Sequence, residues 1–149
     1  MPSRRKYLAG FAVTWSMGVA GCAGFGSSDP LHRVEMDNNT GRDIEVFVEV
    51  MNDADGTLFQ RSFAIEAGNQ DEGADWFEGV PTKLSVAVGD AQPLTAAWPS
   101  KITEVNAGER PETHGIPPCI RGGDSMTGVF VRIASAERMW LEPTCGDPQ

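Results

Sequence analysis

Few side chains in this 149-residue chain can do more than pack or hydrogen-bond, and their spacing limits the chemistry open to them. The thiols are Cys22, Cys119 and Cys145, and the imidazoles are His32 and His114. Zinc and copper sites gather histidines with cysteines or carboxylates around one point. Here the two histidines fall in different regions and none follows Cys119 or Cys145, so no metal and no cofactor is expected. A helix-flanked calcium loop fails as well. Aligning Gly56 of Asp53-Ala54-Asp55-Gly56 with the loop's glycine puts Met51 and Ser62 where aspartate and glutamate are required. A looser cation site at that turn is the one remaining metal option. Hydrolysis needs a nucleophile, a base and an orienting group held together. No Gly-x-Ser-x-Gly or comparable signature places them, so no catalytic residues are assigned and the chain is read as a non-enzyme.

An odd number of cysteines in an exported protein leaves one to be explained, and the N-terminus explains it. Ser3-Arg4-Arg5-Lys6-Tyr7-Leu8 resembles the twin-arginine export signal, in which Arg4 and Arg5 would be read by the receptor. An uncharged stretch from Leu8 to Gly21 follows, shorter than the ~20 apolar residues a membrane span needs. It ends in Val19-Ala20-Gly21-Cys22, which resembles the lipobox of bacterial and archaeal lipoproteins. That resemblance implies a signal peptide over residues 1–21 and a lipid on Cys22, the first residue of the mature protein. A cleaved secretory signal with a free cysteine, or an uncleaved anchor, would equally place the domain outside the cell. Residues 22–30, small and polar, read as a flexible tether, and residues 31–149 as one domain.

Losing the leader removes three positive charges (Arg4, Arg5, Lys6) and no negative ones, taking the formal charge from −9 to −12. A surface this acidic repels nucleic acid, which is excluded as a partner. The acidity, with only Lys83 and Lys101 beyond the leader, resembles the proteins of halophilic archaea.

The elements that position these residues follow a period of two, the signature of half-buried strands. Ile44, Val46, Val48 and Val50 alternate with Asp43, Glu45 and Glu49, interrupted in polarity only by Phe47. Shorter alternations run through Val34 and Met36, Leu84 to Val88, Leu94 to Trp98, Val129 to Ile133, and Met139 to Leu141. Gly- and Asn-rich turns separate them, and no helical stripe is present beyond the leader. Many short strands between turns predict an all-β sandwich. The acidic first strands, the Asp-x-Asp-Gly turn, Phe59, Phe63 and Ile65, then Trp76-Phe77 and Trp98, resemble the immunoglobulin-like domains of haloarchaeal surface lipoproteins. The resemblance covers about residues 31–100 and implies an immunoglobulin-like antiparallel β-sandwich. The segment 99–118, rich in glycine and proline, reads as a long loop.

In an oxidising exterior Cys119 and Cys145 are expected to pair, two buried free thiols being the alternative. Asn38-Asn39-Thr40 fits a glycosylation sequon in an expected exposed turn, making Asn38 a candidate acceptor. Trp140 and Phe130 fall on the faces opposite their strands' apolar residues, where they would form an aromatic patch for a partner, or else be covered. The expected function is therefore a membrane-tethered, extracytoplasmic binding or structural module. Its partners would be membrane lipid through Cys22 and another envelope protein. The alternatives are a small-ligand-binding accessory to a transporter and, behind it, an uncharacterised enzyme.

Overall fold

The computed structural model describes residues 29–71 and 76–146. Arg4, Arg5 and Cys22 lie outside the described residues. The strands are β1 (Leu31–Asn38), β2 (Ile44–Met51), β3 (Thr57–Ile65), β4 (Gln70–Asp71), β5 (Phe77–Glu78) and β6 (Lys83–Val88). β7 (Leu94–Ala97), β8 (Thr103–Asn106) and β9 (Glu112–Thr113) follow, then a one-turn helix α1 (Pro118–Arg121), β10 (Met126–Ser135) and β11 (Arg138–Cys145).

These strands form an all-β sandwich. The smaller sheet runs β3-β2-β6-β7, antiparallel throughout. The larger runs β4-β1-β10-β11-β8-β9, with β5 also paired to β1. Its one parallel pair joins β1 to β10, bringing the start of the domain beside its end. That approach is close: a Cβ on Gly128 of β10 would sit 2.5 Å from the carbonyl oxygen of Arg33. Only glycine fits there without moving backbone.

The core lies between the sheets. Val46, Val48, Val50 and Leu84 face Val34, Met36, Val129, Val131, Ile133 and Leu141, all of them almost completely buried. Each such side chain contributes about 1.5–3 kcal/mol by leaving water. At one end of the core His32 is buried against Phe77 and Trp98 (ring centroids 5.9 and 5.8 Å), and Phe59 stacks on Phe77 at 5.2 Å. The His32 Nδ1 has no hydrogen-bond partner among the described residues, and burial lowers the His32 pKa because the imidazolium would lose its hydration.

Two expectations are corrected. The segment 99–118 is not all loop, since β8 and β9 lie within it and β8 pairs with β11. Thr103 and Val105 point inward and Glu104 and Asn106 outward, but a threonine in an apolar position, with glycine and prolines close by, hides the alternation. Asn38 is not exposed. It ends β1 fully buried, its amide nitrogen donating to the carbonyl oxygens of Arg42 (2.7 Å), Ile65 (2.9 Å) and Glu66 (3.1 Å). Its Oδ1 accepts from the Thr40 amide and hydroxyl, at 3.0 and 2.7 Å. An amide nitrogen engaged with three carbonyls inside the fold is closed to a glycan. Buried Asn38, with Thr40, instead forms a clasp tying the β1–β2 turn to the end of β3.

Cys119 and Cys145 form a disulfide with Cα atoms 6.2 Å apart, fastening α1 to the last residue of β11. The Asp53–Gly56 turn is a hairpin: Asn52 Oδ1 accepts from the backbone nitrogens of Ala54 (3.0 Å) and Gly56 (2.8 Å). The Asp55 carboxylate is taken by Lys83 Nζ at 2.7 Å, and that contact lowers its pKa. With Asp55 so paired, the looser cation site at this turn has lost one of its two carboxylates to a lysine.

Candidate functional site on the outer face of the larger sheet

The inward alternation that builds the core sends a second set of side chains outward from the larger sheet. The strand registers align Asp37, Arg132, Trp140, Glu104 and Glu112 in one row across β1, β10, β11, β8 and β9. A neighbouring row holds Glu35, Phe130 and Glu142. Directly opposed residues on one sheet face lie about 4.5–5.5 Å apart at Cβ, so each row is a line of contacts.

The contacts combine charge with aromatic surface. Arg132 Nε donates to Asp37 Oδ2 at 3.2 Å while its guanidinium lies 5.7 Å from the Phe130 ring centroid. Asp37 also accepts from Asn39 Nδ2 at 3.0 Å, which accounts for a carboxylate that is largely buried although it points outward. Arg138 spans Glu104 Oε1 at 2.7 Å and the Trp140 ring at 5.7 Å. At the far end Arg33 pairs with Glu35 at 2.6 Å and packs on Trp76 at 5.1 Å.

Phe130 and Trp140 therefore do share the outer face, but as half-buried rings under arginines rather than as an open apolar patch. Each cover sits two residues from its ring on the same strand, Arg132 from Phe130 on β10 and Arg138 from Trp140 on β11, whereas the carboxylates that hold the arginines come from β1 and β8 through registers the sequence does not display. A second grouping was missed altogether. His114 follows β9 and lies against Trp140 (ring centroids 5.0 Å), and its Nε2 is 3.8 Å from Glu104 Oε2. The two-residue spacing of Glu112 and His114, which puts both on one strand face, was the signal available once β9 is recognised as a strand.

Phe47 is exposed on the outer face of the smaller sheet, with Ser62 and Ala87 as its cross-strand neighbours. Clefts open to solvent lie beside the disulfide, next to Asp124 and Thr127, and beneath the β2–β3 hairpin, next to Leu58 and Val80. Neither cleft is lined by a histidine. No known protein family, curated protein or solved structure matches the chain.

Proposed function

We propose that this protein is a lipid-tethered domain of the cell envelope that binds another envelope protein through the outer face of its larger sheet, and that it catalyses no reaction. The observation that carries the reading is the outer face around the row from Asp37 to Glu112, where Arg132 and Arg138 pair with Asp37 and Glu104 over the half-buried rings of Phe130 and Trp140. Tryptophan and arginine are enriched where binding energy concentrates at protein interfaces. Paired charges fix register with a partner more than they add raw affinity.

The address comes from the leader. The twin-arginine signal, the lipobox at Cys22 and the polar tether place the domain just off the outer surface of the membrane. The disulfide supports the same location, since such bonds persist in oxidising surroundings. The attachment assigned here is the lipid on Cys22; among the described residues no helix is long and apolar enough to cross a membrane. The acidic surface and the sandwich fit a haloarchaeal surface lipoprotein of the immunoglobulin-like kind.

Crosslinking in intact cells tests the reading. Wild-type protein is expected to give discrete adducts with one or a few envelope proteins. Trp140→Ala is expected to reduce them by about thirtyfold or more in affinity, the effect of losing about 2 kcal/mol at an interface hot spot. Adducts unchanged by Trp140→Ala, or none at saturating crosslinker, would contradict it.

A further inference from the structure

The β8–β9 edge of the same face gathers three metal-ligating side chains. Glu104 and Glu112 are direct cross-strand partners. His114 continues the strand two residues on, its backbone nitrogen donating to the Ile102 carbonyl at 2.7 Å while the Ile102 nitrogen donates to Gly115 at 3.0 Å. That ladder puts His114 on the same face as Glu112 by the period of two. One ligand atom from each of the three lies within 4.8 Å of the others.

The neighbours of the trio orient it. Glu104 is mostly buried, and its Oε1 accepts from Arg138 Nη2 (2.7 Å) and Asn106 Nδ2 (3.3 Å), which directs Oε2 towards His114. Trp140 packs against the His114 ring with an interplanar angle of 36°. Nε2 and Oε2 then face each other at 3.8 Å, too far for a hydrogen bond. Two bonds of about 2.1 Å to a shared cation span up to about 4.2 Å, so an ion bridges this gap without moving either strand. The exposed Glu112 has an oxygen within 4.8 Å of the other two ligand atoms, so closing the third side of a tetrahedral shell takes a side-chain shift of up to about 1.4 Å.

We propose that Glu104, Glu112 and His114 bind a divalent transition-metal ion of the zinc class. One imidazole nitrogen and two carboxylates suit such an ion better than a hard cation, which prefers an all-oxygen shell. Arg138 holds the second oxygen of Glu104 and so fixes the direction of the first, the role that outer partners of metal ligands commonly play. Three protein ligands leave at least one position open towards solvent. A carboxylate from a docked partner could fill it, although the site itself does not depend on the docking role proposed above.

The test is calorimetric titration of the full chain with Zn2+ alone. It is done in a Cys22→Ser background, so that no free thiol competes while Cys119 and Cys145 stay bonded to each other. One Zn2+ per chain is expected, with His114→Ala and Glu112→Gln each weakening binding by at least about tenfold and Trp140→Leu by several-fold. Glu109→Gln, exposed in the turn after β8, is expected to leave it unchanged. Circular dichroism confirms that each variant is folded. Binding that survives both His114→Ala and Glu112→Gln, or no saturable binding below about 1 mM, would overturn the proposal and leave the trio as a surface ion-pair cluster.

Discussion

Replacing Asn38 by alanine tests whether the buried clasp at the end of β1 supports the fold. The side chain makes five polar contacts, its two N–H groups serving three carbonyls with one proton shared, and its oxygen accepting twice from Thr40. The bond to Ile65 is buried, and its carbonyl would lose a partner out of reach of water, at about 1–3 kcal/mol. The remaining bonds are partly exposed, so water replaces them at about 0.5 kcal/mol or more apiece. A total near 4 kcal/mol is a large fraction of the ~5–15 kcal/mol that holds a domain together. With a urea slope of about 1.5–2 kcal/mol/M, the midpoint of unfolding falls by about 2 M. Asn38→Asp keeps the shape but sets a carboxylate against three carbonyls, and is expected to lose at least as much at pH 7. The assay is urea denaturation of the Cys22→Ser chain followed by tryptophan fluorescence. A midpoint lowered by less than about 0.5 M in Asn38→Ala would refute the reasoning.

Three further outcomes follow from the packing. Gly128→Ala pushes a methyl group into the Arg33 carbonyl; it is expected to destabilise by about 2–3 kcal/mol, read as a lower urea midpoint and faster hydrogen exchange in β1 and β10. Removing the disulfide as Cys119→Ser with Cys145→Ser reopens a loop of about 27 residues and is expected to cost about 3.5 kcal/mol by the loop-entropy argument, checked by the same titration. His32 has its pKa lowered below 6.5 in the folded chain, so the unfolded chain takes up the proton first. Its contribution is intact above pH 6.5 and is lost as the pH falls below that value towards the folded pKa. His32→Leu removes this dependence, so the stability difference between wild type and variant is expected to shift in the variant's favour as the pH drops from 7 to 5, measured by urea midpoints across that range.

Where alternation was long, the sequence specified the fold. The run from Ile44 to Val50 becomes the centre of the smaller sheet, and the Val129–Ile133 and Met139–Leu141 runs become adjacent strands of the larger one. Short strands escaped notice. β8 carries one apolar inward residue and one threonine, and β9 is two residues long, so pairing rather than local pattern makes them strands. Asn38 misled for a different reason. An asparagine beside a glycine-containing turn is usually solvated, and two of the three carbonyls that hold it inside, those of Ile65 and Glu66, are supplied only by the tertiary placement of β3. The spacing of Glu112 and His114 hints at a shared face, but Glu104 joins them only through the β8–β9 register.

The lipid on Cys22 is what would hold the domain at the membrane surface. Intact mass and membrane fractionation of wild-type and Cys22→Ser protein from the native host test it most directly. The wild-type protein is expected in the membrane fraction, beginning at Cys22 and heavier than its residues by a covalent lipid, with Cys22→Ser lacking the lipid and altered in processing or location. A Cys22→Ser protein processed and located like the wild type, the two masses differing only by the substitution itself, would contradict the account.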